Sequence, residues 1–124
     1  MRSRADEGSA TVEFVVVVPM LVLLMLAVAQ VTLALYVRST ITSAAAEGAR
    51  VAATNPAATA VGVLRTRQVL GTTLADGVVE SVTARPMRIG GVDTVEVVVR
   101  ARLPLVGLLG PSLLVVRGHA LQEP

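Results

Sequence analysis

The stretch that decides the fold is GSATVEFVVVVPMLVLLMLAVAQVTLALY, residues 8–36, in which one carboxylate, Glu13, stands at the mouth of an otherwise uncharged run. Residues 14–36 are roughly 23 positions without a formal charge, enough for a helix rising about 1.5 Å per residue to cross a hydrocarbon core about 30 Å thick. The pattern predicts a single membrane-spanning helix. Pro19, Gln30 and Thr32 interrupt the run without overturning it, because proline near the start of a span is tolerated where a neighbour or a local kink absorbs the freed carbonyl.

The 124-residue chain is 53% hydrophobic with a mean hydropathy of +0.71, and the excess is concentrated in this run. From Val37 onward it reads as one small soluble domain of roughly 85 residues, which buries only a modest core. Packing against the extension of the span or against a partner is therefore expected to support it. The absence of cysteine excludes disulfides, thiolate metal sites and thiol catalysis together.

All eleven basic residues are arginine, so a pI ≈ 10.4 coexists with a formal charge of only +2. Beyond the span they alternate with acids and form no dense block, and Phe14 and Tyr36 are the only aromatics. Nucleic-acid binding, which wants basic grooves and aromatic stacking platforms, is not expected. His119 is the only histidine and has no pair of acids at ligand spacing; Ser81 and Ser112 lack a base and an orienting acid; Gly90-Gly91 is too short for a phosphate cradle. The expectation is no enzymatic activity, no metal and no cofactor.

Arg2 and Arg4 give the start of the chain the character of an export signal, diluted by Asp6, Glu7 and Glu13. Ala27-Val28-Ala29 before Gln30 has the small-x-small form of a signal peptidase site, yet Val31, Leu33, Ala34, Leu35 and Tyr36 prolong the apolar run beyond it. Two alternatives to a retained, processed anchor stay open. One is a secreted small binding domain released after Ala29, and the other a single-pass membrane-anchored binding module.

Residues 37–53 are rich in alanine, which predicts that the membrane helix continues into the aqueous phase until Asn55-Pro56 stops it. Ala44, Ala45, Ala46, Gly48, Ala49, Ala52 and Ala53 leave a thin helix that other backbones can approach closely, or reflect simple alanine propensity. A second helix is expected over residues 57–75, ending at Asp76-Gly77, with Arg65 and Arg67 facing water. Val95, Val97, Val99, Ala101 and Leu103 alternate with Glu96, Val98, Arg100 and Arg102, the mark of a half-buried strand. Residues 78–85 make a candidate partner strand through a Gly90-Gly91 turn with Asp93, and residues 113–121 a third. Between the last two, Leu105, Val106, Leu108 and Leu109 lie in a loop that touches membrane or a partner, or caps the core.

The predicted class is α+β: an N-terminal transmembrane helix extending into a long helix, then a small domain with a helix packed on a three-stranded antiparallel sheet.

Gly8 followed by four residues, then Glu13 and Phe14, then a long apolar helix, resembles the G-x-x-x-x-E-[F/Y] processing motif of type IV pilin-like proteins. Residues 45–52, Ala-Ala-Glu-Gly-Ala-Arg-Val-Ala, are similar to the A-A-x-E-G-A-R segment of TadE-like chains just after the membrane helix. In register, the two motifs resemble the TadE-like family of tight-adherence (Flp-type) pilus assembly pseudopilins. The resemblance covers residues 8 to about 53 well and the rest loosely.

It implies residues 1–8 as a prepilin-type leader, 9–36 as the transmembrane helix, 37–56 as its extracytoplasmic extension and 57–124 as the small α+β domain. A prepilin peptidase, an aspartyl protease of the membrane, would cut after Gly8 on the cytoplasmic face and leave Ser9 as the N-terminus. Gly8, Ser9, Glu13 and Phe14 are then the processing residues, and Glu13, Glu47, Gly48 and Arg50 the assembly residues. The implied partners are the membrane, the peptidase, other pilins or pseudopilins and the pilus assembly platform. The implied location is the cytoplasmic (inner) membrane, single-pass, with the N-terminus cytoplasmic and the C-terminal domain outside.

Physically, glycine suits the cut, since a backbone without a side chain enters a narrow cleft and a poor helix former is expected to keep the junction unwound. Ser9 and Glu13 are four residues apart, on one helix face and about 6 Å apart along the axis. An ionised group at mid-membrane costs on the order of 3 kcal/mol and less near the interface, so a partner that neutralises Glu13 gains selectivity. The freed Ser9 amine of the same chain can compensate it, and the resemblance implies that a neighbour's N-terminal amine does so instead and sets axial register. The alternative is that Glu13 snorkels to the headgroups and favours the helix N-terminus.

Overall fold

The computed structural model describes residues 4–54, 59–103 and 112–122, with side chains from Gly8 onward. The chain divides into two compact units, Met1–Leu33 and Ala34–Pro124. Its elements in order are α1 (Arg4–Ala53), α2 (Thr59–Thr73), β1 (Val79–Ile89), β2 (Val92–Leu103) and β3 (Ser112–Leu121). The class is α+β, with an apolar N-terminal helix, a second helix and a three-stranded antiparallel sheet. The expected stop at Asn55-Pro56, the first two residues of the expected second helix and the apolar loop at Leu105, Val106, Leu108 and Leu109 lie outside the described residues.

In the first unit α1 runs through both Gly8 and Pro19. An unwound junction at Gly8 was the expectation, and it is corrected here: the residue is helical. A single glycine costs only about 1 kcal/mol relative to alanine, and a cooperative helix with good formers on both sides absorbs that. The most apolar stretch of the helix has a mean hydropathy of 2.8, and none of it is buried. Thr32 donates its hydroxyl to the Val28 carbonyl at 2.9 Å, so a polar group inside the apolar run is satisfied by its own helix.

The second unit is built around a hairpin. Gly90 and Gly91 have φ of 59° and 84°, positive at both central positions of a two-residue turn, which matches the right-handed twist of the strands it joins. That turn sets Ile89 opposite Val92, and stepping outward gives Arg88↔Asp93, Arg85↔Glu96 and Val82↔Val99. β1 runs past the expected residues 78–85, continuing through Pro86 opposite Val95 to Ile89; it is an edge strand, where a missing N–H is tolerated. β3 pairs on the other side of β2, with Val97↔Gly118 and Val99↔Val116, in the order β1-β2-β3.

One face of the sheet is the core face. Val82, Val97, Val99, Ala101 and Val116 pack with Val37, Ile41, Ala44, Ala45 and Ala49 of α1 and Leu70 of α2, while Val95 joins Ala52 and Ala53. The C-terminal part of α1 and α2 thus share this face, and a core this small draws on both.

The alanine-rich stripe is approached closely by backbones, and they are the chain's own. A Cβ placed on Gly118 would lie 2.5 Å from the carbonyl carbon of Ala45 and 2.7 Å from both Ala45 O and Ala46 N. A Cβ on Gly62 would lie 2.6 Å from the Gly48 carbonyl oxygen, and one on Gly48 would overlap Thr66 Oγ1. Thr66 is fully buried and donates Oγ1 to Gly62 O at 2.8 Å, so the helix crossing is polar but satisfied.

Gly118→Ala is expected to destabilise the second unit by about 1–3 kcal/mol, because the obstructing atoms are backbone and cannot rotate away. Gly71→Ala, with nothing within 4 Å of its Cβ, is expected to stabilise α2 by roughly 0.5–1 kcal/mol. Hydrogen exchange of the β2 amides in the detergent-solubilised chain distinguishes the two; equal protection in both variants would contradict the close approach at Gly118.

Candidate functional site

The processing residues lie on consecutive turns at the start of α1. Gly8, Ser9 and Glu13 are exposed, Phe14 is 68% exposed, and a Cβ on Gly8 would meet nothing within 4 Å. Ser9 and Glu13 stand in i, i+4 relation on one face of the helix. Among the described side chains Glu13 forms no ion pair. Among the described side chains the junction therefore presents an open helical face with one carboxylate on it.

Glu47, Gly48 and Arg50 belong to the second unit and do not converge on one point. Glu47 accepts from Arg65 of α2, with Oε1 2.6 Å from Nη2 and 2.8 Å from Nε. Arg65, expected to face water, is instead tied across the helix pair and also donates to Gln68 Oε1 at 3.3 Å. Both charged side chains are 44% exposed, so the pair contributes at most about 1 kcal/mol, and its main effect is to orient α2. Gly48 is the crossing point of α1 with Gly62, whereas Arg50 is exposed in the last turn of α1, where a cation complements the helix dipole.

A third cluster escaped the sequence reasoning. On the face of the sheet away from the helices, Glu96 sits between Arg85 of β1 and His119 of β3, opposite both in register. Its side chain is only 4% exposed, although it lies on the nominally polar side of β2. Arg85 approaches Oε1 with Nη2 at 2.6 Å and Nε at 2.8 Å, and His119 Nε2 lies 2.9 Å from Oε2. The Gly90-Gly91 turn already contained the first half of this row, since counting outward from it pairs Arg85 with Glu96; His119 required the register of β3, which no short turn announces.

Burial pushes the Glu96 carboxyl up, but hydrogen bonds and charge from Arg85 and His119 outweigh it and hold the group below the usual carboxylate range. Among the described residues, no group of three His, Cys, Asp or Glu could hold a metal ion.

These features define the class of protein first: a small α+β domain whose core helix continues an apolar helix long enough to cross a membrane. Within that class, residues 8–50, about a third of the chain, match the family model described as TadE-like protein, so this segment is similar to TadE-like chains. Searches among curated proteins and among solved structures returned no match. The matched segment contains Gly8, Ser9, Glu13, Phe14, Glu47, Gly48 and Arg50.

A depressed carboxylate contributes stability that is present above the ordinary carboxylate range and is lost as pH falls through its folded-state value. Glu96→Gln removes that contribution. It is expected to cost about 1–2 kcal/mol at neutral pH, discounted because Arg85 is 65% exposed, and to flatten the acid limb of the stability curve. Urea unfolding at neutral and acidic pH measures both; an unchanged acid limb would show that Glu96 does not carry it.

Proposed function

We propose that the chain is a TadE-like pseudopilin acting in tight-adherence pilus assembly, structural and without catalysis. In this reading residues 1–8 are a leader, 9–36 of α1 hold the chain in the cytoplasmic membrane, and residues 37–56 lead into an extracytoplasmic α+β domain at 57–124. One observation carries it: the TadE-like match begins at Gly8 and spans an exposed apolar helix headed by Glu13 and Phe14.

The prepilin peptidase cuts after Gly8 and frees the amine of Ser9. Because Gly8 lies within α1, the first turn must open to enter the protease, and glycine lowers the cost of that opening. Within an assembly, Glu13 of an incoming subunit pairs with the Ser9 amine of a neighbour. Desolvation near the membrane raises the gain from a matched charge and the penalty of a mismatched one, which selects the axial register. Glu47 and Gly48 serve assembly by holding α2 against α1, and Arg50 offers an exposed guanidinium to other pilins or to the assembly platform.

The rival reading of a domain secreted after Ala29 has one observation in its favour. The core uses α1 only from Val37 onward, so that cut would spare it.

Mass spectrometry of the mature chain is expected to find Ser9 at the N-terminus only when prepilin peptidase is present. A terminus at Gln30, or an uncut chain beside active peptidase, would overturn the processing. Glu13→Ala is expected to leave the chain resistant to carbonate extraction while reducing pilus formation; wild-type pilus levels would remove Glu13 from assembly.

A further inference from the structure

The face of the sheet opposite the helices carries no layer among the described residues, and its charges do not cancel. Strand alternation puts Arg100 and Arg117 on it, both exposed. Register sets Val98 opposite Arg117 and Arg100 opposite Val115, so the two arginines are diagonal neighbours on adjacent strands, about 7–8 Å apart at the backbone. Like charges at that spacing repel. Neither has an acidic partner among the described residues, because Glu96 is engaged by Arg85 and His119, Glu80 by Arg102 and Asp93 by Arg88. A shallow depression lined by Arg85, Arg100 and Arg117 also takes in the hydroxyls of Ser81 and Thr83 and the half-buried Val98.

We infer that this face is a docking surface for an acidic segment of another protein, whose carboxylates take Arg100 and Arg117 while its apolar residues cover Val98 and Val115. Charge complementarity selects the occupant, since a planar guanidinium matches a carboxylate with two parallel hydrogen bonds and an uncompensated pair of them favours two acids at strand spacing. A second copy is a poor fit. Of the described exposed acids beyond the apolar run, Glu47, Glu80 and Asp93 are already paired within the chain, Asp76 alone offers one carboxylate to two arginines, and two such faces brought together would repel. A lipid surface is disfavoured because residues 37–124 contain no Phe, Tyr or Trp, the rings that anchor a domain at the interface. The inference rests on the sheet face alone and does not depend on processing at Gly8.

The test uses the full chain in phosphatidylcholine nanodiscs and a fluorescent peptide of alternating glutamate and valine, with a glutamine–valine peptide as control. The glutamate peptide is expected to bind, the glutamine peptide at least about tenfold more weakly, and added salt to weaken the complex. Arg100→Glu with Arg117→Glu is expected to weaken binding at least about tenfold, while Arg67→Glu on α2 leaves it unchanged. Hydrogen exchange of β2 confirms that the variants are folded, and Arg100→Gln with Arg117→Gln replaces the reversal if it is not. No binding of the glutamate peptide, equal binding of the two peptides, or insensitivity to the charge changes would overturn the inference. So would loss of peptide binding in phosphatidylglycerol-containing discs, which would assign the face to lipid headgroups.

Discussion

The contact between the Gly118 backbone of β3 and the Ala45–Ala46 peptide of α1 sets the thickness of the small domain. With no side chain on one element and only a methyl group on the other, helix and sheet come close enough for Ile41, Val97 and Val99 to be fully buried between them. The same device recurs between the helices, where Gly48 and Gly62 let α1 and α2 touch and Thr66 satisfies its hydroxyl inside the contact. Alanine and glycine bury little apolar area each, so stability here comes from fit rather than from large side chains. Among the described residues Leu70 and Ile41 are the bulkiest fully buried side chains.

The sheet handles its two faces by different physics. Toward the helices it is a valine surface closed by small residues. On the opposite face polar order replaces packing: Glu96 is withdrawn from water and satisfied on both oxygens by the strands flanking it, tying β1 to β3 through β2. Such a row specifies register, because a slip of one residue in either hairpin would leave a buried carboxylate without its donors.

Much of this was legible in the residues, for identifiable reasons. The apolar run at 14–36, the alternation of Val95, Val97 and Val99, and the glycine pair at 90–91 point to a helix, a strand and a tight turn, and each element is present where the pattern put it. Two things were hidden. Gly8 looked like a helix breaker because propensity is a local property, while a long helix is cooperative. The alanine stripe could be read as a close-approach surface or as simple helix propensity, because its partner, Gly118, is about seventy residues away in sequence and carries no signal of its own. The pairing of Glu47 with Arg65 was hidden for the same reason, as it depends on how two helices cross rather than on spacing along either.

The continuity of α1 gives the family-matched segment an unusual end point. The match stops at residue 50, while the core draws on the same helix from Val37 to Ala53, so the border recognised by sequence falls inside a packed interior. Apolar helices of this kind are therefore not exchangeable cassettes when cut at the end of the motif. A chimera joined at residue 50 would press a foreign helix surface against Gly118 and Gly62, where there is no room for a larger side chain. Recombination that respects the fold has to cross over before Val37, and the second motif must travel with the sheet it supports.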